Sequence, residues 1–266
     1  MLTEKHISTI DELLPLISDQ LYNPELDRYR GHYLYRGIPD SSYRLVTSLT
    51  LNCKGHKTAL EQPLLRNFTK YAAIDDPTIE RSVWRQMILG QHHGLPTRLL
   101  DWSHSSLIGL HFAVTENNLD DMEKRDCVVW RIDMTELHSM LPKKYLDTLA
   151  RYKTTICTVE MLESITTDLS EYDRDMGDSA MIVVEPPSVD PRIVNQYSFF
   201  TVIPSSMTDI ELFLDRNTSN TVKYVIDRSI RWQIRDMLDQ LNISERLVYP
   251  GLDGLSKWLA RHYFVK

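Results

Sequence analysis

The order of the apolar runs along the chain restricts the fold more than any other feature of the sequence. The run "CVVWRID" at 127–133 is dense in apolar residues, which predicts a buried, central strand. Mostly helical spacing precedes it, and shorter strand-like runs follow at irregular intervals, namely "SAMIVVEPP", "YSFFTVIP" and "VKYVID". The sequence does not show the strict strand–helix alternation of a doubly wound parallel sheet. The pattern therefore favours an α+β fold.

Helical spacing also predicts where the remaining elements lie. A short aromatic strand over 33–36 stops at Gly37. Pro77 stands where a helix would begin, and the predicted helices are 8–22, 58–74, 78–90, 105–116, 228–243 and 251–263. Since no linker rich in Pro, Gly or Ser divides the chain, we expect one domain over 1–266, with 1–30 as a helical lead-in.

Composition narrows the class of protein. The chain has 266 residues and a net charge of −7, which disfavours nucleic-acid binding through bulk positive charge. Its three cysteines are far apart and form no C-x-x-C, so a disulfide scaffold or zinc ribbon is not expected. The sequence contains neither a signal-peptide pattern at its start nor an apolar run of roughly 18 residues. These features together predict a cytoplasmic protein.

The segment "GQHHGLPTRLLDWSHSSLIGLHFA" at 90–113 is the richest in chemically versatile residues, and it predicts a polar loop over 91–103 followed by a helix. Adjacent His92 and His93 diverge in most backbones, and the chain contains no H-x3-H or H-E-x-x-H, so we predict no metal site. The sequence also lacks G-x-S-x-G, G-x-G-x-x-G and the P-loop pattern, which disfavours a serine hydrolase, a dinucleotide-binding fold and a Walker NTPase.

The tripeptide "YRG" at 35–37 is a candidate anion site. Arginine presents a rigid fork of donors to phosphate or ribose oxygens, and glycine lets a flat ligand approach the backbone. The alternative is that Arg36 packs its stem and pairs with a loop.

Several motifs together resemble the FRG domain family, named for a Phe-Arg-Gly on its first strand; here Tyr35 replaces the phenylalanine. The resemblance runs from about residue 8 to about 263. It is carried by "YRG", "QHHGLPTRLLDWS", "LIGLHFA", "RIVNQYSFF" and "LVYPGLDGL", of which the 91–103 segment is the most specific.

This family is similar to the ADP-ribosyltransferase superfamily, which splits NAD at the nicotinamide–ribose bond. The resemblance implies a split antiparallel sheet core with additional helices, and three signature elements in order. In this sequence they would be Arg36, then Asp101-Trp102-Ser103, then Gln196.

The resemblance also assigns roles to these residues. Arg36 would bind phosphate or ribose, and the backbone of Gly37 would read the carboxamide. Ser103 would orient Gln196, and Tyr35 or Trp102 would stack on a flat ring or only wall the pocket. Many relatives carry Glu where this chain has Gln196, which cannot carry charge.

Asp101 is the nearest carboxylate in the motif that could supply the missing charge. The alternative is that Asp101 caps the following helix or pairs with Arg98. His92 is either a proton relay or bonded to the loop backbone. Thr97 and Arg98 build the turn or, in the case of Arg98, contact an NAD phosphate. Arg36, Asp101, Ser103 and Gln196 are thus the expected catalytic group. The expected NAD contacts are Tyr35, Arg36, Gly37, His92, Thr97, Arg98 and Trp102.

The function implied is mono-ADP-ribosyl transfer from NAD to an intracellular acceptor, either RNA or another nucleic acid, or a protein. Family members of this kind often look like toxins or effectors of bacterial toxin–antitoxin or phage-defence systems, so the resemblance also implies an antitoxin partner. The alternatives are an NAD glycohydrolase, an inactive nucleotide- or partner-binding module, and a metal-dependent hydrolase that uses the histidines.

Overall fold

An eight-stranded mixed sheet with helices around it forms the centre of the computed structural model, which describes residues 2–18, 20–74, 79–188 and 190–266. The strands of this sheet are β1 Thr3–Ile7, β4 Tyr33–Ile38, β5 Leu99–Ser103, β6 Cys127–Asp133, β7 Cys157–Thr158, β8 Ile182–Glu185, β9 Ser198–Val202 and β10 Val222–Ile226. A separate two-stranded ribbon consists of β2 Tyr22–Asn23 and β3 Arg28–Tyr29.

Fourteen α-helices connect or cover the strands within the described residues. They are α1 Leu14–Ser18, α2 Ser48–Cys53, α3 Lys57–Ala72, α4 Val83–His92, α5 Ser106–Ala113, α6 Met134–Ser139, α7 Lys143–Tyr152, α8 Val159–Ile165, α9 Leu169–Met176, α10 Pro191–Asn195, α11 Ile210–Asn217, α12 Arg231–Gln240, α13 Glu245–Val248 and α14 Leu252–His262. Short 3-10 helices lie at Asp11–Leu13, Lys54–His56, Ile79–Arg81, Leu119–Asp121 and Arg228–Ile230.

The strand order is β1-β10-β6-β4-β5-β9-β8-β7. The outer pairs β1–β10 and β7–β8 are parallel, and the other neighbours are antiparallel. The predicted α+β class is therefore confirmed, with a sheet that is mixed rather than wholly antiparallel.

Strand β6 is central, as the sequence predicts. All seven of its residues are buried, because helices or loops cover both faces of the sheet. Its side chains alternate between two cores: Val128, Trp130 and Ile132 pack in one hydrophobic cluster, whereas Cys127 and Val129 pack in another on the opposite face. A third cluster lies under α4 and α7–α9.

The sheet almost divides between β4 and β5. These two strands lie wholly within the described residues and pair at one position, Tyr35 opposite Ser103. By contrast, β4 pairs with β6 over six positions, and β5 pairs with β9 over five. The divergence of β4 from β5 leaves room for polar side chains at the junction.

Two predictions about local structure are wrong. The lead-in contains the edge strand β1, which the sequence did not predict because its residues are mostly polar. Its α-helix spans Leu14–Ser18 rather than 8–22. The predicted 91–103 loop includes the end of α4 and the whole of β5. The segment before β9 is partly helical, as α10. Pro77 lies outside the described residues, and α4 begins at Val83.

Candidate functional site

A cavity of about 300 Å³ opens at the junction between β4 and β5. From these two strands it is lined by Tyr35, Arg36, Gly37, Asp101, Trp102 and Ser103. Later and flanking elements contribute Gln91, Phe112, Arg192, Gln196, Ser198 and Tyr249. The four predicted catalytic residues therefore border one concave surface, although they are up to 160 residues apart in sequence, from Arg36 to Gln196.

Arg36 spans the gap that opens between the two strands. Its Nη1 donates to the main-chain oxygen of Asp101 at 2.7 Å and lies 3.3 Å from Oδ2 of the same residue. The side chain is 24% exposed, and its Nε is buried without an acceptor among the described residues. The guanidinium thus serves as a bridge between strands and retains donors for a ligand.

Asp101 presents its carboxylate to the cavity from the middle of β5. Its side chain is 53% exposed, and Oδ2 accepts from Gln91 Nε2 at 3.0 Å. Gln91 is itself held by Thr97, whose hydroxyl donates to the Gln91 amide oxygen at 2.6 Å. Asp101 does not cap the following helix, because Ser105 caps α5 by accepting from the Ile108 amide. The carboxylate is therefore oriented by Arg36 and Gln91.

Ser103 and Gln196 meet at the floor of the cavity. The Ser103 hydroxyl donates to the main-chain oxygen of Gln196 at 2.7 Å, so it positions that residue through the backbone rather than through the amide. The Gln196 side chain donates through Nε2 to the Val248 carbonyl at 3.1 Å. This bond ties the loop before β9 to the segment that carries Tyr249.

Gly37 is required by the close approach of α5. A Cβ atom at this position would lie 2.0 Å from the Gly109 carbonyl oxygen and 2.3 Å from the Ala113 nitrogen, both backbone atoms. Gly109 in turn packs against the Cβ of Tyr35. The glycines in "YRG" and "LIGLHFA" therefore form one contact that brings α5 down onto β4 beside the cavity.

The sequence model of the FRG domain matches residues 31–122. The chain contains an FRG domain. Comparison with curated proteins gives no match, and comparison with solved structures gives none either. The matched FRG segment supplies β4, α4, β5 and α5, whereas Arg192, Gln196 and Tyr249 come from residues beyond it.

Three residues of the FRG segment that were predicted to contact NAD lie away from this cavity. Arg98 is buried, and its guanidinium pairs with the carboxylates of Glu61 and Asp173, so it is not free to reach a phosphate at the cavity. Thr97 is 1% exposed and holds Gln91 instead.

His92 points into a different cavity. Its Nε2 lies 3.3 Å from Asp190 Oδ2, so neither the proton relay at the first cavity nor the loop-backbone bond is the arrangement found. Burial lowers the pKa of His92, although Asp190 opposes this effect.

The two predicted stacking residues border the cavity but do not offer a free ring. Trp102 is 3% exposed, packs in the core and donates through Nε1 to the Thr201 hydroxyl at 3.0 Å. Tyr35 is 2% exposed and packs in the opposite core. Both therefore wall the cavity.

The sequence-based prediction assigned no role in the site to Arg192 or Tyr249. The Arg192 guanidinium carbon lies 5.1 Å from the centre of the Tyr249 ring, and Lys257 Nζ lies 5.2 Å from it. Burial is the main cause of the raised pKa of Tyr249, so this side chain stays neutral. The family-like segments "LVYPGLDGL" and "RIVNQYSFF" contain Tyr249 and Arg192, respectively, so both offered a signal.

Across the part of the chain that the structure describes, no helix has the length and apolar character needed to cross a membrane. In the same residues, no set of three or more His, Cys, Asp and Glu side chains is placed to hold a metal ion.

Proposed function

We propose that the protein binds NAD in the cavity between β4 and β5 and transfers ADP-ribose from it to an acceptor. The observation that carries this proposal is the convergence of four side chains from three separate stretches of chain. They are the ones that the ADP-ribosyltransferase resemblance picks out: Arg36, Asp101, Ser103 and Gln196. A purely structural motif would not require them to border one cavity.

Two arginines support the binding of a diphosphate. Arg36 and Arg192 both line the cavity, and each has a buried Nε without an acceptor among the described residues. Planar guanidinium groups match phosphate oxygens in geometry and charge. Against these two positive charges the lining residues place one carboxylate, that of Asp101. A ligand with two phosphate charges would complement this arrangement.

The aromatic side chains at the cavity suit the nicotinamide end of NAD. Phe112 and Tyr249 line it, with their ring centroids 6.4 Å apart. We assign ring contacts to these two residues in place of Tyr35 and Trp102. The cavity volume lies at the lower end of the range for small-molecule sites, so NAD would fill it with one end and extend beyond the mouth.

Asp101 is the proposed source of negative charge during the reaction. Cleavage of the nicotinamide–ribose bond develops positive charge on the ribose, and a fixed carboxylate nearby stabilises such a charge. Gln196 cannot do this, since its amide is neutral and already donates to the Val248 carbonyl. Gln91 and Arg36 hold the Asp101 carboxylate in place before substrate arrives.

The near-division of the sheet between β4 and β5 fits an ADP-ribosyltransferase-like split sheet, which we include in the proposal. We further propose that the protein acts in the cytoplasm as a toxin or effector of a bacterial defence or toxin–antitoxin system. Its acceptor would be RNA, another nucleic acid or a protein, and an antitoxin would restrain it. These parts rest on the family resemblance alone.

The decisive experiment incubates the pure protein with adenine-labelled NAD together with total RNA, DNA and lysate protein. Label in one of these fractions would support transfer and identify the acceptor class. Release of nicotinamide without labelling would make the protein an NAD glycohydrolase. Binding of NAD by calorimetry without turnover would make it an inactive binding module, and no binding would refute the proposal.

Arg36→Ala is the matched variant for this experiment. Losing a charge-assisted hydrogen bond to a bound anion costs about 1.5–3 kcal/mol, so NAD affinity should fall at least about tenfold. Expression of the wild-type protein should arrest bacterial growth, and Arg36→Ala should relieve the arrest. Unchanged NAD affinity in Arg36→Ala would remove this residue from the site.

A further inference from the structure

A second cavity, of about 550 Å³, lies between α3, α4 and the segment before α10. The side chains of Phe68 and Tyr71 on α3 and of Ile88 and Leu89 on α4 give it a largely apolar lining. This cavity is separate from the one that contains Arg36, because none of its lining residues also lines the first cavity. It is therefore a separate candidate binding site.

The polar residues that line this cavity from α4 lie near the two ends of that helix. Arg85 and His92 are seven residues apart on this helix, so they lie on the same face at a separation of about 10 Å. Ile88 and Leu89 lie between them in sequence and also line the cavity. The cavity is thus a largely apolar trough with Arg85 at one end and His92, His93 and Asp190 at the other.

The two ends have opposite character. Within the described residues Arg85 makes no ion pair, and its half-buried side chain presents a positive charge to the cavity. At the other end the Asp190 carboxylate lies beside His92, with Nε2 and Oδ2 3.3 Å apart. Because Asp190 also accepts from the Arg192 amide at the start of α10, its position is fixed. This end accepts hydrogen bonds.

A ligand that satisfies all three regions must have an anionic group, a flat apolar body and N–H donors at the far end. The anion would pair with Arg85. A planar ring would lie against the aromatic and aliphatic walls. Donors on the ring would face Asp190. An aminopurine mononucleotide combines these groups over a comparable length.

We propose that this second cavity is a binding site for an adenine mononucleotide, with the phosphate at Arg85 and the ring amine at Asp190. The assignment does not depend on the proposed function of the first cavity. It gives a role to the first histidine of the "QHHG" segment, since His92 lies beside Asp190 at the acceptor end of the cavity.

The test is calorimetric titration of AMP into the full chain. Because AMP is also part of NAD, the titration uses the Arg36→Ala protein, in which a main contact of the first cavity is removed. One site should remain, and adding Arg85→Ala should weaken AMP binding at least about tenfold. Arg151→Ala, an exposed arginine on α7 away from both cavities, is the control and should leave AMP affinity unchanged.

Two ligand analogues probe the two ends separately. Adenosine, which lacks the phosphate, should bind at least about tenfold more weakly than AMP. Inosine monophosphate, which presents a carbonyl where AMP has its amine, should lose affinity through Asp190. Arg85→Gln provides a second variant if Arg85→Ala fails to fold, and it carries the same expectation. Absence of AMP binding, or AMP affinity indifferent to both Arg85 variants, would overturn the assignment whether or not wild-type protein binds NAD.

Discussion

Replacing Arg98 by methionine separates a ligand-binding role for the Pro-Thr-Arg turn from a structural one. Arg98 is 5% exposed, and its guanidinium contacts two carboxylates. Nε donates to Glu61 Oε1 at 2.6 Å, Nη2 donates to the second oxygen of Glu61, and Nη1 donates to Asp173 Oδ1 at 2.6 Å. The Arg98→Met protein would keep the packing of the stem but leave these carboxylates without a cation.

Removing one partner of a buried ion pair costs about 3–5 kcal/mol, because the remaining charge is left desolvated. Glu61 is buried as deeply as Arg98, and its side chain is 6% exposed, so we expect a loss in this range. Against a total stability of about 5–15 kcal/mol this is a large fraction. Urea denaturation followed by circular dichroism measures it, and calorimetry at a temperature where the variant is folded should give an unchanged NAD affinity.

A second substitution tests the cause of the loss. Adding Glu61→Gln to Arg98→Met removes the uncompensated buried charge, so part of the stability should return. Two outcomes would refute the reasoning: a loss in Arg98→Met below about 1 kcal/mol, or a large loss of NAD affinity at unchanged stability. The latter would restore Arg98 to a ligand site.

Three further predictions follow from the geometry. Asp101→Asn should lower turnover by about 10²–10³ with little change in melting temperature, since Asp101 caps no helix; equal turnover in labelled-NAD assays would exclude an electrostatic role. Gly37→Ala should cost at least about 1–3 kcal/mol in urea denaturation, because its Cβ would lie 2.0 Å from the Gly109 carbonyl oxygen, and wild-type stability would contradict the α5 packing. Burial, aided by Arg235, lowers the pKa of His111 from 6.5 to about 3. The unfolded chain therefore takes up a proton first as pH falls, and stability should decrease from about pH 6.5 toward pH 3; His111→Gln should flatten this slope, and an identical slope would contradict it.

The sequence was informative where local pattern decides the structure. The apolar run of β6 predicts a buried strand because both of its faces are covered. The grouping of Arg36 with Asp101, Ser103 and Gln196 came from the family resemblance, and no local pattern could have produced it. Those residues meet only because β5 lies between β4 and β9.

The predictions fail where residues that are far apart in sequence determine the local structure. Strand β1 has a polar sequence, "TEKHI", and is a strand because it adds to the edge of β10. From the sequence alone, Arg98 is a candidate anion-binding residue. In the structure its guanidinium already pairs with Glu61 and Asp173, which lie 37 and 75 residues away in sequence. Arg192 reaches the first cavity because Asp190 begins α10 at the right place, which is a property of the tertiary structure.

Because β4 and β5 share a single residue pair, the Arg36 side chain supplies a further contact between these two strands. Where the strands diverge, its side chain donates to the Asp101 carbonyl that a neighbouring strand would otherwise satisfy. A ligand that draws the guanidinium away from Asp101 would break this contact between β4 and β5. A ligand that binds the remaining donors would leave the contact in place. If the proposed ligand binds Arg36, occupancy of the cavity and the contact between β4 and β5 depend on the same five-donor guanidinium.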